Sequence, residues 1–193
     1  MATAADPRLE EGQVYRTREL QRWGENPSRL AKRLVREEVL VPLSHGLYYC
    51  PKRGRFGVSP PSDDAVMRVF LGGSPFVFTG SDQWNALGLG STAVFAVPLV
   101  YNTKRSGSFT FGGRTFELRR VAFPSNPPRE WFVVDLFENA ARAGVSREQL
   151  ASALTRALGR GLFDSARLRE MARNYGTMAT QALIESAIRT ASS

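Results

Sequence analysis

The 193-residue chain is short of the residues that build many kinds of site. It has one cysteine, Cys50, and one histidine, His45. A lone thiol closes no internal disulfide, and no sulfur or imidazole cluster stands at zinc-ligand spacing, which excludes metal sites of that kind. No run of about 18 uncharged apolar residues occurs. The opening stretch MATAADPRLEEG has neither a basic region nor an apolar segment. The expectation is a cytoplasmic protein with no membrane span and no signal peptide. Phosphate-binding loop, dinucleotide fingerprint, nucleophile elbow and zinc-protease helix are all missing, so the sequence predicts no cofactor, no metal and no catalytic residue. GGSPFVFTG has glycines but no Lys-Ser or Lys-Thr pair to make it a phosphate cradle.

Lysine is also scarce: only Lys32, Lys52 and Lys104 among 26 cationic side chains. Arginine therefore carries the net charge of +8, and its fork bonds bidentately to phosphate or to guanine edges. A surface this basic attracts a polyanion. The charge is concentrated near one end. Residues 12–57 hold ten Arg or Lys against four Glu, net +6, whereas residues 58–193 hold fifteen against eleven, net +4.

Within the basic segment, NPSRLAKRLVREE (26–38) reads as a helix. Asn26 suits the N-cap and Pro27 the first helical position, where a missing N–H costs nothing. At about 100° per residue, Leu30, Ala31, Leu34 and Val35 form one stripe, and Arg29, Lys32, Arg33 and Arg36 the opposite one. Before it lie an extended start at 13–16, a helix from Thr17 to about Trp23 and a turn at GEN. After it, VLVPL and GLYYC read as two strands reversing at SHG. Two helices joined by a short Gly-containing turn, then a hairpin, make a winged helix-turn-helix. Leu20, Trp23, Leu30, Leu34 and Val35 form its expected core, with Tyr48 and Tyr49 on the wing strands and the basic stripe facing the major groove.

PKRGRFGVSPP then reads as a linker, ending a first domain at 1–57. The remainder, 58–193, reads as an α/β domain, so the fold class is α+β. A helix follows Ser62 with Asp63 and Asp64 in its first turn, PFVFTG is a strand end, and SDQWNALGL a short helix capped by Ser81. Alternating segments AVFAVPLVYNT, SFTFGG and TFELRRVAF, with a turn at Gly112-Gly113, predict a small antiparallel or mixed sheet at about 76–123. Helices fill 126–191, with caps at Asn126, Ser146 (a capping box with Gln149) and Asp164, and stops at Gly144 and Gly176.

This order of elements resembles the AbiEi family of antitoxins from type IV toxin-antitoxin, or abortive-infection, systems. The pieces that carry the resemblance are VYRTRELQRWGENPSRLAKRLVREEVLVPLSHGLYYCPK, FVFTGSDQWNALGL and LREMARNYGTMATQALIES. It implies a DNA-binding repressor of its own phage-defence operon, with a C-terminal domain associated with neutralising a nucleotidyltransferase-like toxin. It also implies that Arg29, Lys32, Arg33 and Arg36 of the basic helix contact DNA. The chain is short beside the longer members.

The expected function is thus a sequence-specific transcriptional regulator acting on double-stranded DNA, pairing on inverted repeats. Ser28, Arg29, Lys32 and Arg33 are assigned to base edges or phosphates. Arg36, Lys52, Arg53 and Arg55 are assigned to backbone phosphates, His45 to the wing tip, and Arg18 is included in the DNA-binding set. The alternatives are a defence-associated nuclease, for which Asp82 and Glu117 are the acidic candidates, and an adaptor subunit. FELRR lacks the acid-x-lysine spacing usual at such a nuclease site. Cys50, among aromatic neighbours, reads as a small core residue.

Overall fold

The computed structural model describes residues 8–55 and 57–192, without the side chain of Arg53. The fold is a mixture of helices and small sheets, and it divides into two compact units. One comprises Met1–Phe76 with Ser108–Phe116, the other Val77–Gly107 with Glu117–Ser193.

The first unit begins with strand β1 (Val14–Arg16), a helix over the expected span Thr17–Trp23 that is of the 3-10 type, and helix α1 (Pro27–Arg36). Strands β2 (Val41–Ser44) and β3 (Leu47–Tyr49) follow, reversing at His45-Gly46. The three strands form an antiparallel sheet in the order β1-β3-β2, with Val14 and Val41 both opposite Tyr49. Leu20, Leu30, Ala31, Leu34, Leu40 and Cys50 make the buried core beside this sheet, flanked by Tyr15, Trp23, Val35 and Tyr48. Cys50 is a core residue, as its aromatic neighbourhood implied, and burial pushes its thiol up from the ordinary value.

The expected linker is instead a second hairpin, β4 (Lys52–Gly54) and β5 (Gly57–Ser59), forming its own two-stranded sheet. Pro and Gly punctuate it at 51, 54, 57, 60 and 61, which masks the strands between them. Helix α2 (Asp63–Phe70) starts at Ser62, whose hydroxyl accepts from Ala65 N at 3.2 Å. Its last carbonyls are held by Arg16, which donates from Nε to Val69 O at 2.8 Å and from Nη2 to Phe70 O. Phe70 stacks with Phe109 and Phe111, at 5.0 and 4.6 Å between centroids, and Arg114 pairs with Asp63 at 2.6 Å. These contacts extend the first unit beyond the expected division at 57/58 and bring in residues 108–116.

A four-stranded sheet is formed by β6 (Phe76–Thr79), β7 (Leu99–Asn102), β8 (Gly107–Phe111) and β9 (Arg114–Arg120), in the order β6-β7-β9-β8. Most of β8 and the start of β9 belong to the first unit, and β7 and the rest of β9 to the second. Strands β7 and β9 run parallel, Leu99 opposite Glu117 and Asn102 opposite Arg120, so the sheet is mixed. Gly112 and Gly113 turn that hairpin with φ of +55° and +84°, a pair of left-handed positions that suits a tight two-residue reversal. The strand read across 93–103 is confined to its second half, where Pro98 ends the loop before β7. Helix α3 (Ser81–Asn85) begins at Ser81, with Gly80 before it in place of the expected serine cap.

Helices α4 (Arg129–Glu138), α5 (Arg147–Gly159), α6 (Ser165–Tyr175) and α7 (Met178–Ala191) complete the unit. The Ser146–Gln149 capping box and the Asp164 cap form as expected, whereas α4 starts from Pro128 without a side-chain cap, and Asn126 lies outside it. Trp131, Val133, Val134, Leu136 and Phe137 are buried around the whole circumference of α4, the pattern of an interior helix. Among the described residues no helix is long and apolar enough to cross a membrane.

Candidate nucleic-acid interface

Helix α1 forms where its cap and apolar stripe require it. Asn26 Oδ1 accepts from Arg29 N at 2.9 Å, Pro27 opens the first turn, and Leu30, Ala31 and Leu34 are buried. The opposite face carries Arg29, Lys32 and Arg36 exposed and Arg33 half-buried. These four cations line one open groove of about 440 Å³ together with Trp23, Asn26 and Leu30. Trp23 stands edge-on to Tyr15, centroids 6.1 Å apart.

The nearest carboxylate to this face is loosely placed, with Glu37 Oε1 3.9 Å from Arg33 Nε, beyond hydrogen-bond range. Arg33 Nε is itself buried and has no hydrogen-bond acceptor in the protein. A buried donor left unpaired is costly. The groove combines guanidinium forks with an indole and a leucine, which suits phosphate oxygens and base edges.

The other predicted contacts are more dispersed. Ser28 is exposed in the first turn of α1, and Arg18 is exposed on the 3-10 helix. His45 is exposed at the β2–β3 turn, next to Gly46 with φ of +73°. Lys52 and Arg55 are exposed on the β4–β5 hairpin. The backbone of Arg53 pairs with Val58, and its side chain lies outside the described set. The His45 turn leaves one end of β3 and the β4–β5 hairpin leaves the other. The structure therefore gathers Arg29, Lys32, Arg33 and Arg36, and it carries His45 and the Lys52–Arg55 segment on separate hairpins.

The two acidic candidates have different surroundings. Glu117 is held by Arg142 through two bonds of 2.8 and 2.5 Å and by Arg119 Nε at 2.9 Å. The Arg142 guanidinium, above all, holds its carboxyl down at about 2. Asp82 is exposed on α3. Among the described residues no group of three or more His, Cys, Asp or Glu is placed to hold a metal ion.

Sequence reading missed the densest polar cluster of the second unit. The buried Asp135 carboxylate on α4 accepts from Trp84 Nε1 at 2.8 Å, Tyr101 OH at 2.8 Å, Asn139 Nδ2 at 3.0 Å, and Thr79 Oγ1. Burial raises this carboxyl above its ordinary value, against the opposing pull of Thr79, Trp84 and Tyr101 as donors and of the Arg119 charge, and burial also raises the Tyr101 phenol. The available signal was one carboxylate inside WFVVDLF, since a charge in an apolar helical run needs buried partners. Neither a scan of protein-family models nor a search of curated proteins found a match to this chain.

Proposed function

We propose that this chain is a sequence-specific DNA-binding transcriptional regulator whose N-terminal winged helix-turn-helix presents α1 to the major groove. One observation carries the reading: Arg29, Lys32, Arg33 and Arg36 converge on a single groove while the other face of the same helix is packed into the core. The short helix before α1, and the three-stranded sheet that β2 and β3 after it complete with β1, are the supporting elements that such a module needs.

Titrating the full chain against duplex from its own upstream region, by fluorescence anisotropy over a range of salt, tests this. Each neutralised phosphate contributes about 0.9 to the salt slope, so the four α1 cations account for about 3.6. That corresponds to about a 150-fold loss of affinity between roughly 50 and 200 mM salt. A variant with all four changed to alanine loses that share of the slope. Arg29→Ala and Arg33→Ala relax sequence discrimination by about 1–3 kcal/mol each, whereas Arg36→Ala weakens all duplexes alike. Equal binding by the fourfold variant and the parent refutes the reading.

The narrower role is that of an antitoxin-type autorepressor of a toxin-antitoxin or phage-defence operon, with a nucleotidyltransferase-like toxin as partner. It is supported by the sequence resemblance. Co-expression with a toxin encoded beside the chain restores growth if this role is right, and continued growth arrest refutes it. Two copies meet on inverted repeats in this reading, and affinity that survives a shift of about 5 base pairs between half-sites rules the pairing out.

A further inference from the structure

We propose that the loop between β7 and β8, with the end of β9, is a second DNA contact in which Lys104, Arg105 and Arg120 bind backbone phosphates without reading sequence; the proposal rests on the DNA-binding reading above. Residues 83–129 hold six Arg or Lys against one acid, Glu117, net +5. Residues 58–193 as a whole have a net charge of +4, so this stretch carries the excess outside the basic N-terminal segment. Glu117 is itself taken by Arg142 and Arg119. Parallel pairing brings the three cations together. Strands β7 and β9 run in the same direction, so both end at one edge, with Asn102 opposite Arg120. Lys104 and Arg105 follow directly from β7, and all three side chains are exposed.

Asn102 holds the loop in one shape. Its side chain is fully buried, and all four hydrogen-bonding positions of its amide are used. Oδ1 accepts from Lys104 N at 2.9 Å and from Arg105 N at 2.8 Å. Nδ2 donates to Arg105 O at 2.9 Å and to Arg119 O at 3.3 Å. Two further bonds stitch the loop to β9, from Arg120 N to Ser106 Oγ at 2.8 Å and from Val121 N to Asn102 O at 3.3 Å. The side chains of residues 103–106 are exposed, so this order fills no core. It sets the cations in place before a ligand arrives, which lowers the entropy lost on binding.

The chemistry favours a nucleic-acid backbone over an acidic protein. A protein interface is centred on aromatic or aliphatic anchors that enter pockets. This loop offers Thr103, Lys104, Arg105 and Ser106, none of them apolar, and the neighbouring Val121, 41% exposed, is small. A phosphate backbone needs cations and hydroxyls alone. It presents one charge per about 1.7 Å of duplex axis, so three cations on adjoining strand ends meet phosphates whatever the sequence.

The full chain carrying Lys104→Gln, Arg105→Gln and Arg120→Gln is titrated over a range of salt with its upstream duplex and with a scrambled one. Three phosphate contacts contribute about 2.7 to the salt slope, so the affinity lost between roughly 50 and 200 mM salt should shrink by about 40-fold on both duplexes. The ratio of the two affinities, which α1 sets, should not move. Arg105→Lys with Arg120→Lys keeps the charge and should keep the slope. A control with Arg156→Gln, Arg160→Gln and Arg167→Gln removes as many exposed cations from α5, its C-terminal end and α6. Its slope should stay within about 0.5 of the parent. An unchanged slope in the first variant, an equal loss in the control, or a loss in the lysine variant overturns the contact and leaves the α1 reading standing. If the slope is unchanged while binding of poly-glutamate is lost, the loop belongs to an acidic protein instead. A parent that binds no duplex at low salt overturns both readings.

Discussion

Replacing Asp135 by asparagine separates the number of acceptors at the centre of the second unit from its shape. The carboxylate takes four donors, from Thr79, Trp84, Tyr101 and Asn139, and is 5% exposed. An amide of the same outline offers one oxygen, so two of the four donors lose their acceptor and face an NH2 group. Each buried donor left unpaired costs about 1–3 kcal/mol, so two give a loss of about 2–6 kcal/mol. For a unit of this size that lowers the melting temperature by roughly 8–24 °C. Urea unfolding followed by tryptophan fluorescence reads the change, since Trp84 donates directly to the carboxylate. Thr79→Val supplies the control. In the parent it removes one donor and costs about 1 kcal/mol, whereas in the Asp135→Asn protein it removes a donor that had lost its acceptor. There it is neutral or stabilising. A Thr79→Val cost equal in both backgrounds, or an Asp135→Asn protein within about 0.5 kcal/mol of the parent, refutes the acceptor argument.

Glu117, held at about 2 by Arg142 and Arg119, gives a defined acid limb. Its folded value lies below the ordinary carboxylate value, so its contribution is complete above about pH 5 and is lost as pH falls towards 2. Allowing for partial exposure to solvent, that contribution is about 1–2 kcal/mol, and Glu117→Gln should flatten the acid limb of stability. Identical acid limbs in the two proteins contradict this. Asn26→Ala removes the cap on α1 and costs about 1 kcal/mol. Amide exchange in the first turn of α1 should accelerate, and unchanged exchange there means the cap is not what orders the helix.

The local signals for α1 were unusually complete: Asn26 and Pro27 at its start and two opposed stripes along it, all within eleven residues. Its groove was legible for the same reason, because residues three and four apart on one helix share a face whatever the rest of the chain does. The β4–β5 hairpin was not, because strand pairs this short have no alternation to detect and their glycines and prolines mimic a linker. What organises them is Tyr49, whose bond to Ser59 spans ten residues. The Asp135 cluster was illegible for a stronger reason. Thr79, Trp84, Tyr101 and Asp135 come from four separate elements up to 56 residues apart, and nothing local to any one of them specifies the others. The division at 57/58 was drawn from composition, whereas the chain's own division follows Arg16 on the end of α2 and Phe70 among Phe109 and Phe111.

That division also sets an order of events during synthesis. The first unit is complete only when Ser108–Phe116 has been made, because Leu43 O accepts from Gly112 N at 2.8 Å and Phe70 stacks on residues of that returning segment. A ribosome adding about 5–20 residues per second leaves an interval of roughly 2–8 s between Phe76 and Phe116. During that interval the aromatic face of α2 has neither Phe109 nor Phe111 to close on. The nascent chain therefore carries the whole basic helix while its own unit is unfinished. A chain cut after Phe76 reproduces that unfinished state, and any DNA affinity measured on it belongs to an intermediate of assembly.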